Sequence, residues 1–240
     1  LETASTVVDA DFLTLAANSV MLASATAVIA VAVALLLAYG HRPRPGPLMA
    51  GATRVSSMGY AIPGAVIAVG VLVPFAWLDN RLDAFMREAF GLSTGLILSG
   101  TLAALIFGYL VRFLAISFNT VEASLGKVTP TMDGSARTLG LGPGATLARV
   151  HMPIISGSLL TAALLVFVDV MKELPATMIM RPFNFNTLAV RAFELAEDEQ
   201  LAESAPAALS IVAVGILPVI LLSLAIARSR PGHWADKEAA

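Results

Sequence analysis

Five long apolar runs constrain the fold of this chain more than any other feature. A helix of about 20 residues crosses a hydrocarbon core of roughly 30 Å, and each run approaches or exceeds that length. Composition agrees, because 57% of the residues are hydrophobic and 13% are charged, whereas soluble domains are about 25% charged. We therefore predict an all-α membrane protein with about five transmembrane helices. The predicted spans are 12–39, 61–78, 95–118, 154–180 and 207–227.

Lysine and arginine are concentrated on one side of the predicted spans. Ten of the fifteen basic residues follow the first span, surround the end of the third span and its loop, or lie in the tail. Because short loops rich in Lys and Arg stay in the cytoplasm, we expect the N-terminus outside and the C-terminus in the cytoplasm. The basic residues are Arg42, Arg44, Arg54, Arg112, Lys127, Arg137, Arg149, Arg228, Arg230 and Lys237, and the acidic residues opposite are Asp79, Asp83, Glu88, Glu194, Glu197, Asp198, Glu199 and Glu203.

This orientation gives the chain three parts. An external flank, 1–11, precedes a transmembrane domain, 12–227, and a cytoplasmic tail, 228–240, follows it. The transmembrane domain contains a cytoplasmic loop, 119–153, and an external segment, 181–206. Apolar residues recur among the charges of the external segment, which predicts a short amphipathic helix at the outer surface.

The sequence lacks the residues of several other functional classes. It has no cysteine, and its three histidines lie far apart, so we expect no metal site. The net charge of −2 gives no basic field for nucleic acid. There is no H-E-x-x-H or G-x-S-x-G motif, and Gly126-Lys127 does not complete a G-x-x-x-x-G-K-[ST] loop. We therefore expect no enzyme activity, no cofactor and no ATP site on this chain.

A pair of small residues opens the second predicted span. Gly64 and Ala68 have the small-xxx-small spacing that lets helix backbones approach closely in a membrane. The general abundance of alanine and glycine explains the pair equally well.

A long polar interval, 119–153, separates the third and fourth predicted spans. Loops in compact folds have a median of about 4–6 residues, so this length indicates a function. Asp133 can cap a helix that continues through Leu139, and Gly140 and Pro143 then break the chain. A second helical stretch, 145–150, leads into the fourth span. We predict a helix, a sharp turn and a second helix on the cytoplasmic face.

The spacing within this loop follows a known pattern. Gly134-Ser135-Ala136, Gly140 and Val150-His151-Met152-Pro153 stand in register with Glu-Ala-Ala, three residues, Gly, nine residues and Ile-x-Leu-Pro. In this respect the chain resembles the permease subunits of binding-protein-dependent ABC importers. It departs from them at the glutamate, because Gly134 occupies that place and Asp133 precedes it. A salt bridge made by the family's glutamate is therefore either absent here or moved by one residue.

The resemblance extends beyond the loop. Residues 167–177 and 181–190 look like ferric iron importer permeases in particular, and the similarity covers nearly the whole chain from the first span onward. Permeases of that subfamily usually contain two such halves, and this chain is similar to the second. Since its first residue is Leu1 rather than methionine, we expect a fragment of a longer permease or a separate subunit.

The resemblance implies a type I importer-permease architecture in a bacterial inner membrane. Besides the lipid bilayer it implies three partners: ABC ATPase subunits, a second permease half or subunit, and a periplasmic substrate-binding protein that delivers ferric iron. Similar importers carry sulfate, molybdate, thiamine, polyamines or phosphonates, and the sequence does not separate these substrates. A loop without a partner is the alternative interpretation of 119–153. The residues implied in ATPase coupling are Asp133, Gly134, Ser135, Ala136, Arg137, Gly140, Val150, Met152 and Pro153.

Three ionisable residues, Asp169, Lys172 and Glu173, lie in the outer half of the fourth predicted span. Such charges cost about 2.5–3.5 kcal/mol each near the bilayer centre, so they usually face protein or water. Their spacing places them on one helix face, and Pro175 disturbs the helix just beyond. This face either lines the translocation path or its gate, or forms an ion pair that fixes packing. An ion-coupled secondary transporter, which would use these carboxylates without an ATPase, is a second functional class.

Overall fold

The computed structural model describes residues 10–41 and 46–229, and helices account for most of them. No strand occurs in these two ranges, so the predicted all-α fold class is confirmed. A 3₁₀ turn, Gly59–Ala61, and a π-helical turn, Leu147–His151, supplement the α-helices. The α-helices are α1 (Ala10–His41), α2 (Pro47–Met58), α3 (Gly64–Phe90), α4 (Leu102–Leu125), α5 (Pro130–Thr138), α6 (Pro143–Thr146), α7 (Met152–Met171), α8 (Pro175–Met180), α9 (Leu188–Glu197) and α10 (Leu201–Ser229).

In the described part of the chain, four helices are long and apolar enough to cross a membrane. They are Asp11–Gly40, Gly64–Phe90, Leu102–Leu125 and Pro143–Met171. Helix α10 contains a shorter apolar stretch, Leu201–Ala213, which is below spanning length, so the fifth span, 207–227, stays a prediction. Several apolar helices of spanning length indicate a multi-pass membrane protein.

Helices α1, α4 and α7 form the centre of the bundle and make the most extensive contacts with one another. Their packing depends on a stripe of small residues on α1, whose members are all buried. The small side chains let the neighbouring helix backbones come close, as membrane helices commonly do. Ser117 Oγ on α4 reaches across this contact to donate to the Ala30 carbonyl at 3.2 Å. The stripe consists of Ala23, Ala27, Ala30, Ala34 and Ala38.

The second and third spans differ from the prediction at the turn that joins them. Helix α3 continues to Phe90 rather than ending near residue 78, and α4 begins at Leu102 rather than near residue 95. Thr101 caps α4, since its Oγ1 accepts the Ala104 N–H at 3.2 Å. The boundaries moved because apolar residues 95–98 belong to the connection, although their hydropathy resembles that of a span.

Two carboxylates on α3 hold this connection in place. Asp79 is buried and accepts the backbone N–H groups of Ile97, Leu98 and Ser99 at 3.2, 3.0 and 2.8 Å. One turn later, Asp83 accepts the N–H of Thr94 at 2.7 Å. The prediction that these two acids lie in an external loop is wrong, because both belong to α3 and satisfy backbone donors.

Arg112 also lies away from its predicted position. It was assigned to the cytoplasmic end of the third span, but it occupies the middle of α4 and pairs with Glu173. It therefore carries no information about orientation, which stays a prediction. Of the other residues in that argument, Arg42, Arg44, Arg230 and Lys237 lie outside the described residues.

The predicted fourth span, 154–180, is interrupted. Helix α7 ends at Met171, residues 172–174 are not helical, and α8 begins at Pro175. Proline has no N–H and its ring disfavours helix in the preceding residue, so the break falls just before it. At the other end, α6, the π-helical turn and α7 form one continuous helical stretch, Pro143–Met171.

The segment predicted to be external, 181–206, contains the predicted short helix, α9. Its apolar side chains Leu188, Val190 and Leu195 are buried, and α9 packs mainly on α10 and also touches α1. Ser19 Oγ on α1 accepts the Leu188 N–H at 2.9 Å. The apolar side of this amphipathic helix therefore faces the protein core, and its position at the outer surface stays a prediction.

Candidate functional site

Most of the predicted ATPase-coupling residues lie in a helix–turn–helix after α4, residues 130–151, which we call the coupling element. Helix α5 begins at Pro130, preceded by Thr129 in an extended conformation. Asp133 lies in the first turn of α5 rather than ahead of it, so its predicted role as the cap is wrong. A carboxylate in the first turn still complements the helix dipole.

Gly140 makes the sharp turn that ends α5. Its φ is +78°, in the left-handed region that glycine adopts without steric cost. The Leu141 N–H donates to the Ala136 carbonyl at 3.0 Å, and the Gly140 N–H donates to the Arg137 carbonyl at 2.9 Å. These two bonds form a Schellman motif, which explains why glycine stands here. The predicted helix–turn–helix is confirmed, with its second helix starting at Pro143 instead of residue 145.

The acid of this element faces inward. Asp133 Oδ1 lies 2.8 Å from His151 Nε2, and the His151 side chain is 1% exposed whereas that of Asp133 is 24% exposed. The carboxylate thus ties α5 to the π-helical turn that leads into α7. The sequence left two possibilities for the salt bridge of the family's glutamate: it is absent, or it has moved by one residue. In this chain the neighbouring acid, Asp133, contacts an internal partner, His151.

Tyr39, at the end of α1, holds the second half of the element. Its hydroxyl donates to the Pro143 carbonyl at 2.9 Å, and its ring lies 5.6 Å from the His151 ring between centroids. The coupling element is therefore attached to both α1 and α7, two of the three central helices. Sequence reasoning missed Tyr39 entirely and gave His151 no role, because neither residue has a local signal for this contact.

A shallow groove of about 280 Å³ runs along the coupling element. Leu139 at its edge is 80% exposed, and Met132 is 39% exposed. Three predicted coupling residues, Ser135, Ala136 and Val150, line the groove, whereas Gly134, Arg137, Met152 and Pro153 are exposed and do not line it. The full lining is Thr131, Met132, Ser135, Ala136, Leu139, Leu141 and Val150.

The charges of the fourth span form a second candidate site around the break between α7 and α8. Asp169 Oδ1 and Lys172 Nζ are 2.8 Å apart, as their spacing predicts. The Lys172 side chain is 65% exposed, so this end of the pair faces water or another protein rather than lipid.

Glu173 does not share the face of Asp169 and Lys172. Because α7 ends at Met171, Glu173 turns into the protein, where its Oε1 lies 3.4 Å from Arg112 Nη1. The same oxygen accepts the Ala176 N–H in the first turn of α8 at 3.1 Å. The prediction that all three charges lie on one helix face is therefore wrong for Glu173.

Further polar contacts join α4 to α8 at this point. Thr177 Oγ1 donates to the Glu173 carbonyl at 2.6 Å, and the Tyr109 hydroxyl is hydrogen-bonded to Thr177 Oγ1. A Cβ on Gly64 would collide with Arg112 Nη1 and lie 2.6 Å from Glu173 Oε1. Gly64 therefore makes room for the buried ion pair, whereas the small-xxx-small interpretation had assigned its spacing to contact between helix backbones.

The two ion pairs limit what this cluster can do chemically. Each acid already has a basic partner, Lys172 or Arg112, so neither carboxylate is a free ligand. Within residues 10–41 and 46–229, no group of His, Cys, Asp and Glu side chains could hold a metal ion. The cluster as described is a pair of ion pairs around a helix break.

Sequence relatives are transport permeases. No protein-family model matches the chain. A Fe³⁺-transport system permease protein of Haemophilus influenzae is 28% identical over 169 residues, which is 70% of this chain and 30% of that protein. A 2-aminoethylphosphonate transport system permease protein of Salmonella typhimurium is 28% identical over 173 residues, 72% of this chain and 58% of that protein. The chain thus spans less than two thirds of either relative.

Solved structures give the same assignment for the fold. A bacterial ABC transporter that imports the acidic polysaccharide alginate matches 92% of this chain and 80% of its own, with a TM-score of 0.71 and 12% identity. The chain has the fold of an ABC importer permease. A methionine ABC transporter matches 92% of this chain and 99% of its own, with a TM-score of 0.61 and 15% identity. The predicted resemblance to importer permeases is confirmed in sequence and in fold.

Proposed function

We propose that this chain is a membrane-spanning permease of an ATP-driven importer in a bacterial inner membrane. The observation that carries the proposal is the helix–turn–helix at 130–151, which lies between two spans of an importer-permease fold and is fastened to its central helices. The chain itself is a transport subunit without cofactors, and ATP is bound and hydrolysed by a separate ATPase chain.

The attachment of the coupling element supports a mechanical role. Tyr39 joins it to α1, and His151 joins it to the base of α7. Movement of an ATPase bound to α5 would therefore be transmitted to two central helices as a rigid body. A solvated loop without a partner would not need these long-range contacts.

The break between α7 and α8 is the proposed gate. Asp169, Lys172, Glu173 and Pro175 all lie at this break, where a spanning helix is interrupted and a charged side chain is exposed. Non-helical backbone within a span is tolerated where it is buried in protein or lines a water-filled cavity, which fits a gate. The alternative is that these ion pairs only fix the packing of the helices. Measuring transport by variants in which the paired charges are neutralised separates a gate from a packing role.

Two further partners belong to the proposal. A second permease half or subunit is supported by the 30% coverage of the iron permease. A periplasmic binding protein is supported by an alginate transporter structure in complex with its periplasmic protein, which has a TM-score of 0.63 to this chain. Its proposed docking region includes a cleft of about 490 Å³ beside α9, edged by Phe183, which is 92% exposed.

Ferric iron is the first candidate substrate, because a Fe³⁺-transport permease is among the relatives. A phosphonate is the second candidate, supported by the 2-aminoethylphosphonate permeases at the same level of identity. Sulfate, molybdate, thiamine and polyamines rest on the family resemblance alone. A secondary transporter would need neither an ATPase nor a binding protein.

Reconstitution tests the function and the substrate together. The full permease, its ATPase and its binding protein would be placed in proteoliposomes, and uptake of labelled ferric iron and 2-aminoethylphosphonate would be measured with and without ATP. We expect uptake of one substrate that requires ATP and all three components. Uptake driven by a proton or sodium gradient without the ATPase would contradict the proposal.

A further inference from the structure

Two interruptions of the helical backbone meet at the middle of α4. Residues 59–63 separate α2 from α3, and residues 172–174 separate α7 from α8. The first interruption packs tightly on α4, since a Cβ on Gly59 would collide with the Val111 carbonyl. The second reaches the next residue of α4, Arg112, through the buried ion pair. Because Arg112 lies in the middle of a spanning helix, both interruptions lie at membrane depth, where non-helical backbone is buried in protein or lines a water-filled cavity.

In both ion pairs at this junction, the base is the more accessible member. The Lys172 side chain is 65% exposed and that of Asp169 is 14% exposed, while the Arg112 side chain is 20% exposed and that of Glu173 is 6% exposed. A solute that reaches the junction therefore meets an ammonium and a guanidinium group before it meets either carboxylate. This arrangement attracts an anion and repels a cation.

The Arg112 guanidinium also has donors to spare. It carries five N–H donors, and its bond to Glu173 Oε1 is long, at 3.4 Å. Its Nε is buried and has no hydrogen-bond partner among the described residues. Glu173 Oε1 also accepts the Ala176 N–H, so the carboxylate keeps a donor if Arg112 turns to another anion. A planar guanidinium with free donors binds the oxygens of phosphate-like groups in pairs.

We infer that Arg112 and Lys172 contact the substrate as it crosses the membrane, and that this substrate is a tetrahedral oxyanion of the phosphonate, phosphate or sulfate kind. The inference rests on the proposed function and favours its second candidate substrate, a phosphonate, over a bare ferric ion. Lys172 meets the oxyanion first because it is the more exposed base, and Arg112 then binds two of its oxygens. Glu173 stays hydrogen-bonded to Ala176 throughout.

Uptake by the reconstituted transporter tests this inference. The full permease, its ATPase and its binding protein are placed in proteoliposomes, and ATP-driven uptake of labelled 2-aminoethylphosphonate, phosphate, sulfate and ferric ion is measured. We expect uptake of an oxyanion, with a maximal rate at least about ten-fold lower in Arg112→Lys, which keeps the charge but loses the fork, and about five-fold lower in Lys172→Gln. The KM for the loaded binding protein should stay within about two-fold of wild type. Arg191→Lys, at an exposed arginine of α9, is the matched control, and size-exclusion profiles show whether each variant is folded.

A thiol reporter separates substrate contact from a purely structural role. Tyr60, in the first interruption, is 53% exposed and lies close enough to Lys172 for their charges to interact. Since the chain has no cysteine, Tyr60→Cys introduces a single thiol, whose reaction with a sulfonate-bearing thiol reagent is followed in the assembled transporter during turnover. We expect the transported oxyanion to slow this reaction at least about five-fold, and Lys172→Gln to remove the protection. Ferric ion should give no protection.

Three results are decisive. Uptake of an oxyanion that falls in folded Arg112→Lys and Lys172→Gln, with protection of the thiol at position 60, supports the inference. Lack of uptake of all three oxyanions, wild-type rates in both folded charge variants, or an unprotected thiol overturns it while leaving the proposed function intact. Uptake by the wild type that needs no ATPase overturns the proposed function, and this inference with it.

Discussion

The coupling element and the break between α7 and α8 both turn an acid inward, but the two acids have different effects. Asp133 meets a histidine and leaves a largely apolar groove exposed on the coupling element. Glu173 meets an arginine and closes a contact among α3, α4 and α8. One acid pairs beneath the surface that is proposed to receive the ATPase, and the other holds the segment between α7 and α8 inside the bundle. The first should therefore affect coupling more than stability, and the second stability more than coupling.

The largest expected effect comes from breaking the Arg112–Glu173 ion pair. Arg112→Ala would leave Glu173 buried without its cation, and we expect a loss of about 3 kcal/mol in stability, at the lower end for broken buried pairs because Ala176 still donates to it. Thermal unfolding in detergent measures the effect. The control is Lys172→Ala, whose exposed pair should contribute about 0–1 kcal/mol. Adding Glu173→Gln to Arg112→Ala should restore part of the loss, and no recovery would contradict a buried ion pair.

Gly64 gives the next effect. Gly64→Ala places a methyl group against Arg112 and Glu173, which should cost about 1–3 kcal/mol through overpacking. Gly70→Ala on the same helix meets nothing within 4 Å and should be neutral or slightly stabilising. Equal unfolding temperatures for the two variants would show that Gly64 has no packing role at the ion pair.

Gly140 tests the coupling element. Gly140→Ala must adopt a positive φ and should cost about 1–2 kcal/mol locally, with ATP-driven uptake falling more than the amount of folded permease. Gly134→Ala, where a Cβ meets nothing within 4 Å, is the matched control in the same element. Normal uptake by Gly140→Ala at normal expression would contradict a coupling role for the turn.

Tyr39 gives the smallest expected effect. Tyr39→Phe keeps the ring beside His151 and removes the hydroxyl that donates to Pro143, which should cost about 0.5–1.5 kcal/mol. We expect a small change in unfolding temperature and a larger loss of uptake per ATP hydrolysed. If the ratio of uptake to ATP hydrolysis is unchanged, the contact between α1 and the coupling element has no part in coupling transport to ATP hydrolysis.

Sequence patterns predicted the parts of this protein that depend on neighbours along the chain. The hydropathy runs located four spanning helices, and the helix-breaking residues Gly140 and Pro143 predicted the turn at Gly140. Positions that depend on distant partners could not be predicted in the same way. The ends of α3 and α4 depend on Asp79 and Asp83 binding residues 94–99, and these contacts have no period in the sequence.

The same limit applies to the charges. Arg112 looked like a cytoplasmic arginine because hydropathy does not show that Glu173, 61 residues away, provides a partner within the bundle. Asp133 looked like a helix cap because its histidine partner follows 18 residues later, across the Gly140 turn. A partner on another helix decided the role of each charge, and only the fold reveals it.

Cross-linking tests the central claim, that the element at 130–151 receives the ATPase, most directly. The chain has no cysteine, so Leu139→Cys and Phe183→Cys each introduce a single reactive thiol, at side chains that are 80% and 92% exposed in the wild type. In membranes containing the assembled transporter, a short thiol cross-linker should join Leu139→Cys to the ATPase and leave Phe183→Cys unlinked to it. A transporter that remains active while only Phe183→Cys reaches the ATPase would contradict the account.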